Sequence, residues 1–257
     1  MKTVGVDPQL QRNYDEYYDD DISEWREMGA IDKAANIRSL CASRAPTTVL
    51  DIGAGEGAVL QQLADSGFGQ RHFALDISAS GVARIRDRKI PTLVECRQFD
   101  GYTVPYPDAT FDLAILSHVV EHVEHPRLLL NEAARVADLV FVEVPLEHNR
   151  GLPADFVPDT VGHINFYTAK TIRLLVQSCG HEVLDQRETH LARRQYQYLH
   201  GRTGSIKYLI KDLALRTMPS VAKSLWTYHS SLLVRSRRPA ALDAAGLPQQ
   251  ESDKLPR

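Results

Sequence analysis

The residues best suited to chemistry in this 257-residue sequence fall in two places. The first is His118-Val119-Val120-Glu121-His122, followed much later by His163 in Gly162-His163-Ile164-Asn165. If a helix starts at His118, positions i, i+3 and i+4 share one face, and three polar groups converge. Imidazole titrates near neutrality, so His122 or His163 suits removal of a proton from a substrate hydroxyl. The plainer role for Glu121 is a carboxylate complementing a helix N-terminus. The second place is Thr48-Val49-Leu50-Asp51-Ile52-Gly53-Ala54-Gly55-Glu56-Gly57, which reads as a buried strand stopping at a glycine-rich turn. Gly53, Gly55 and Gly57 let the backbone approach a ligand closely, and the helix after them points its free N–H groups the same way. Asp76 lies 19 residues beyond Gly57 at the end of a second strand, where a carboxylate suits a ribose diol.

The elements that position these groups alternate. Strands are expected at Val49–Ile52, Arg71–Ile77, Pro91–Arg97, Phe111–Leu116, Leu139–Val144, His181–Arg187 and Ser230–Arg235. Helices are expected from Ser23, over Ala58–Ala64, Ser80–Arg88, Leu128–Val136 and Ala169–Ser178. This pattern predicts an α/β doubly wound sheet with its ligands at the carboxyl ends of the strands. Asp100-Gly101 and Ser117-His118 leave strand ends at that same edge. An N-terminal helical arm (1–44) precedes a main domain (45–238), which carries a helical basic insertion (190–228). A disordered tail (239–257) is expected to follow. Three widely spaced cysteines, no signal-like leader and no long apolar run lead to the expectation of a soluble cytoplasmic protein. The formal charge of −3 points to no partner by itself.

A dinucleotide enzyme would want G-x-G-x-x-G, but here the third glycine comes one residue early. Glu56 would also face a pyrophosphate unfavourably, so a ligand without phosphate and with a positive centre is preferred. At this point Val49–Gly57, Leu75-Asp76-Ile77-Ser78 and Phe111-Asp112-Leu113-Ala114, in this order and spacing, resemble the class I S-adenosylmethionine-dependent methyltransferases. The resemblance covers roughly residues 45–190. It implies a Rossmann-like sheet of seven strands with the last antiparallel. It also implies that Asp51, Gly53, Ala54, Gly55 and Gly57 surround the amino acid moiety of S-adenosyl-L-methionine, with Ser117 nearby. Asp76 would take the ribose, Ile77 would pack beside the adenine, and Asp100 would meet its amino group.

Within that class, the ubiquinone-pathway O-methyltransferases and the small-RNA 2′-O-methyltransferases carry E-x-x-E-H after strand four. Glu121 and His122 match, and His118 stands where the first glutamate would be. The resemblance makes His118, Glu121, His122 and His163 candidate ligands of a divalent metal, and the histidine substitution suits zinc or manganese better than magnesium. The same letters also match the H-x-x-E-H motif of a metallopeptidase family. The lack of an Asn/Asp-Pro-Pro-Tyr/Phe motif at Ser117–Val120 favours oxygen over nitrogen as the accepting atom.

The expected reaction is in-line O-methylation of a small molecule, sugar, or glycan or lipid-linked acceptor. A metal-dependent RNA 2′-O-methyltransferase and an inactive cofactor-binding scaffold are the alternatives. Tyr14, Tyr17, Tyr18, Trp25, Phe156 and Tyr167 are candidate stacking platforms for the acceptor. From Arg193 to Arg238 there are ten Lys or Arg and one acid, Asp212. Lys207, Lys211, Arg216 and Lys223 interleave with apolar residues, which suits an anionic partner or a peripheral contact with a membrane surface. Nucleic acid is disfavoured, because no stacking-rich module is present.

Overall fold

The structure is a computed structural model that describes residues 5–6, 8–17, 23–155 and 162–237. The expected tail, Tyr18 and Phe156 lie outside the described residues, as does the side chain of Tyr17. Seven strands form one sheet: β1 (Thr48–Ile52), β2 (Arg71–Asp76), β3 (Leu93–Gln98), β4 (Phe111–Ser117), β5 (Ala137–Pro145), β6 (Glu182–Thr189) and β7 (His229–Arg235). Their order is β3-β2-β1-β4-β5-β7-β6, and β7 runs antiparallel to both neighbours. The expected Rossmann-like architecture is therefore observed.

Apolar runs such as Val49-Leu50 and Leu113-Ala114-Ile115-Leu116 are buried on both faces because helices cover both. One face packs Leu50, Ile52 and Leu75 against α5 (Pro126–Val136) and α6 (Ala169–Ser178). The other packs Val49, Ala74 and Phe141 against α2 (Ser23–Leu40), α3 (Ala58–Asp65) and α4 (Ala79–Asp87). Alternation along β1 and β5 puts Asp51 and Glu143 on the α2 side. Neighbouring strands β1 and β4 leave in opposite directions, so their carboxyl ends open a crevice.

Three additions surround that crevice. The helix α1 (Pro8–Tyr17) lies across the start of α4. There Asp15 accepts the Ala79 N–H at 2.7 Å, and Gln11 donates to the Ile77 carbonyl at 3.0 Å. The second is the segment 162–168. The third, between β6 and β7, is helical as expected: α7 (Arg193–His200), α8 (Gly204–Thr217) and α9 (Pro219–Leu225). Among the described residues no helix is long and apolar enough to cross a membrane.

The candidate active site

A cavity of about 1100 Å³ opens at the carboxyl edge of the sheet, lined from Asp76 at one end to Asp212 at the other. That exceeds what one drug-sized ligand fills, leaving room for two reactants.

One end of the cavity is built on the glycine turn. Gly53 and Ala54 both donate to the Leu75 carbonyl, at 2.7 and 3.0 Å, pinning the turn to the end of β2. Gly53 has φ +78°, and a Cβ there would sit 2.6 Å from Val119 Cγ2. Gly53→Ala therefore combines left-handed strain with a clash. We expect it to cost at least about 1 kcal/mol and to displace Val119 from the cavity wall, read by thermal denaturation and by cofactor titration. Asp76 is clamped by the Gly55 N–H at 2.7 Å and the Ser78 N–H at 2.8 Å, which orients its carboxylate at the strand end. Asp51 is buried on the cavity wall. Burial pushes Asp51 up to about 7, despite the opposing charge of Lys33. Burial likewise raises Asp76 to about 6, against the N–H groups of Ser78 and Gly55. Two desolvated carboxylates in one pocket suit a ligand that brings positive charge and hydroxyl donors.

Ala54, Gly55, Ile77 and Ser117 also line the cavity, whereas Gly57 caps α3 in a left-handed conformation. Asp100 is placed differently from the expectation. Its carboxylate accepts the Tyr102 and Thr103 N–H groups and closes a turn, so the residue stands outside the main cavity while Phe99, Gly101 and Tyr102 line it. Glu56 is neutralised within the protein by Arg26 at 3.3 Å and Arg88 at 3.2 Å. Its charge is thus not what selects the ligand.

The second end gathers the histidines. The stretch His118–His122 is a turn and not a helix, since α5 begins only at Pro126. His118 takes φ +59°, a left-handed conformation that breaks any helix there and stores strain beside the cavity. A turn closed by the His122 N–H on the Val119 carbonyl still brings the side chains inward. The segment 162–168 locks it. Ile164 and Asn165 donate backbone N–H groups to the Glu121 carbonyl at 2.9 and 3.0 Å, and the Asn165 amide reaches Val123 O at 2.7 Å. This is how His163 arrives.

The four expected residues are divided between two groups that share a wall. Ligand atoms of Glu121, His122 and His163 lie within 4.8 Å of one another, as do those of His118, Glu143 and His229. His118 joins the two, with Nδ1 at 3.1 Å from Glu121 Oε1 and Nε2 at 3.5 Å from Glu143 Oε1. Despite that proximity neither Glu121 oxygen accepts a well-directed hydrogen bond, and His118 Nε2 is also unsatisfied. His122 Nδ1 lies 3.3 Å from the Gly162 carbonyl, and His163 Nδ1 is held by the Glu147 carboxylate. In both rings this leaves Nε2 as the free nitrogen, an arrangement common where a histidine accepts a cation. Tyr14 of α1 meets the His122 ring edge-on at 6.1 Å, so the arm does bring an aromatic to the cavity. Trp25 also lines it, whereas Tyr167 is buried in the core beneath.

The charges follow from these contacts. Burial opposes protonation of His118, but Glu121 and Glu143 outweigh it and hold His118 above its ordinary value. Burial also disfavours the Glu143 charge, yet His118, His229 and Ser231 bring it down to about 2. His229 falls to about 3 through burial and the His118 charge. Burial lowers His122 as well, so its free nitrogen is unprotonated near neutrality.

Sequence reasoning missed Glu143 and His229. It also missed His190, whose Nε2 faces Asp212 Oδ1 at 3.4 Å among Tyr196, Tyr208 and Tyr228 at the far end of the cavity. The insertion's basic character was visible, but a lone histidine after β6 gives no local signal.

The sheet order, the glycine turn under paired carboxylates and the crevice at β1 and β4 define a class I methyltransferase fold. Residues 50–138 match the family model described as a methyltransferase domain. No curated protein matches the chain in sequence. Solved structures share the fold at low identity. One is a chain of the Haloferax volcanii complex between the Trm112 methyltransferase activator and a methyltransferase. It is 16% identical over 88% of this chain and 98% of that one, with TM-score 0.59. A second is the [4+2]-cyclase SpnF, 20% identical over 79% of this chain and 82% of that one, with TM-score 0.55. A third is Haemonchus contortus phosphoethanolamine N-methyltransferase 2, in complex with phosphomonomethylethanolamine and S-adenosylhomocysteine. It is 15% identical over 88% of this chain and 61% of that one, with TM-score 0.56. A cyclase and an N-methyltransferase on one fold mean that the acceptor chemistry is decided by the site.

Proposed function

We propose that the protein O-methylates a small hydroxyl-bearing acceptor, with Glu121, His122 and His163 as the activating group. The observation that carries this reading is the mutual approach of these three, with His122 and His163 on the cavity wall, Glu121 buried behind them, Nδ1 of both imidazoles engaged and both Nε2 atoms free. S-adenosylmethionine supplies an activated methyl on a sulfonium centre. Asp51 receives its ammonium group and Asp76 its ribose hydroxyls, and the glycine turn leaves room for both. Most of the acceleration comes from holding the acceptor oxygen in line with that methyl. His122, neutral at physiological pH, takes the hydroxyl proton on Nε2, and Glu121 beside it stabilises the resulting imidazolium.

The same donor set fits a divalent cation. Glu121 offers two buried oxygens that accept no well-directed hydrogen bond, and two oriented imidazoles and His118 surround it. A metal held there would lower the pKa of a bound hydroxyl, and the mixed nitrogen and oxygen set suits zinc or manganese. Proton and metal compete for the same lone pairs, so one measurement separates them. Metal analysis of the purified protein, run with methyl-transfer assays on hydroxyl and amine acceptors, tests both roles. Stoichiometric metal lost in His163→Ala assigns the metal role, and activity without metal assigns His122 as base. Transfer to amines but not hydroxyls overturns the O-methyltransferase reading.

A further inference from the structure

The helix α8 has two faces with different surroundings. Inward it presents Tyr208, Asp212 and Leu215 to the cavity. Outward it presents Ile206, Leu209, Ile210 and Leu213, each more than half exposed. At 3.6 residues per turn these four fall on one stripe about 100° wide, and Lys207 and Arg216 border it on opposite sides. Arg216 pairs with Asp212 at 3.0 Å but stays largely in solvent. Four large aliphatics side by side in water mark a surface that is covered in use.

Charge identifies the cover. Around the start of α8, Arg193, Arg202 and Lys207 have no acid partner among the described residues, whereas Arg194, Lys223 and Arg235 are already paired with Asp32, Glu188 and Glu182. An occupant must be apolar and negative at once. A second copy of this chain fails that requirement, because a two-fold contact would set these cations against their own equivalents. An anionic bilayer surface meets both conditions, with acyl chains for the stripe and phosphates for the flanking cations.

We propose that the outer face of α8 seats on an anionic lipid surface. On the O-methyltransferase reading above, this also defines the acceptor class. The helix is about 10 Å thick, and its inner face walls the end of the cavity holding His190 and Asp212. An amphiphile with an apolar tail and a hydroxyl head thus enters beside α8 from the membrane in which it is dissolved.

The test sediments full-length protein with neutral phosphatidylcholine vesicles and with vesicles containing phosphatidylglycerol, at low and high salt. The expected result is binding to the anionic vesicles only, weakened by salt. In the double variant Leu209→Gln, Leu213→Gln binding falls about a hundredfold. Both changes lie on the exposed face, so S-adenosylhomocysteine affinity should be unchanged and reports that the variant is folded. Absence of vesicle binding by protein that binds S-adenosylhomocysteine overturns the proposal, as does equal binding by the double variant. A concentration-dependent dimer dispersed by the double variant, without vesicle binding, assigns the face to a second copy instead. Vesicle binding does not depend on methyl transfer, so failure of the O-methyltransferase reading would leave this result standing.

Discussion

In a calorimetric titration, Asp51→Asn weakens S-adenosylhomocysteine binding by about 100- to 1000-fold, the cost of leaving a buried ammonium without its counter-charge. The wild-type titration should also depend on pH in a definite direction. Burial places Asp51 near 7 and Asp76 near 6 in the ligand-free protein, so both are protonated below those values. An ammonium ligand selects the ionised form. Affinity therefore rises with pH, levels off above about 7, and falls by about tenfold per unit below it. In Asp51→Asn the upper inflection vanishes and the one near 6 remains. The sign for stability is the reverse. Both carboxyls have folded values above the unfolded value of about 3.9, so the unfolded chain releases their protons first as pH rises. The ligand-free fold loses that contribution between about 4 and 7, and bound cofactor restores it. The thermal shift produced by S-adenosylhomocysteine is thus expected to be larger at pH 8 than at pH 5.5. A pH-independent affinity would refute the assignment of Asp51.

The second large effect contrasts two buried glutamates. Glu143 accepts from Ser231, from Asn36 at 2.7 Å and from Ser117 at 3.3 Å, and it faces His118. Replacing it by Gln strands a positive imidazole and several donors, so Glu143→Gln costs about 3–5 kcal/mol of stability. Glu121 lies beside His118, His122 and His163 but accepts no well-directed hydrogen bond. Glu121→Gln therefore costs less in denaturant unfolding but lowers turnover by about 10²- to 10⁴-fold, the usual weight of acid–base assistance. Equal stability losses in the two variants would show that Glu121 is a structural ion-pair member rather than part of the reactive group.

The glycine turn and Asp76 were legible in the sequence because each is a local signal: a residue type at a strand end, at a known distance from its neighbour. Glu143 was not. Within Leu139-Val140-Phe141-Val142-Glu143-Val144 it reads as an acid in an apolar strand, and its meaning depends on the register that sets it opposite Ser117 of β4 and Ser231 of β7. Pairing of that kind is non-local and leaves no trace in either segment alone. The helix expected at His118 failed for a related reason. The i, i+3, i+4 spacing identified residues that converge, but a turn locked from outside by Asn165 achieves the same convergence. Asp100 shows the converse, because an acid before a glycine also closes its own backbone turn.

The insertion that carries α7, α8 and α9 departs after Thr189 and returns at His229, and these two residues are register partners across β6 and β7. Topologically the insertion is a hairpin tip grown long, with both ends anchored on adjacent rungs. Its sequence can change or lengthen while both anchoring rungs keep their register, and the glycine turn and Asp76 lie across the sheet on β1 and β2. Descendants of such a protein could acquire new acceptors by exchanging one cassette while inheriting the methyl-donor machinery intact.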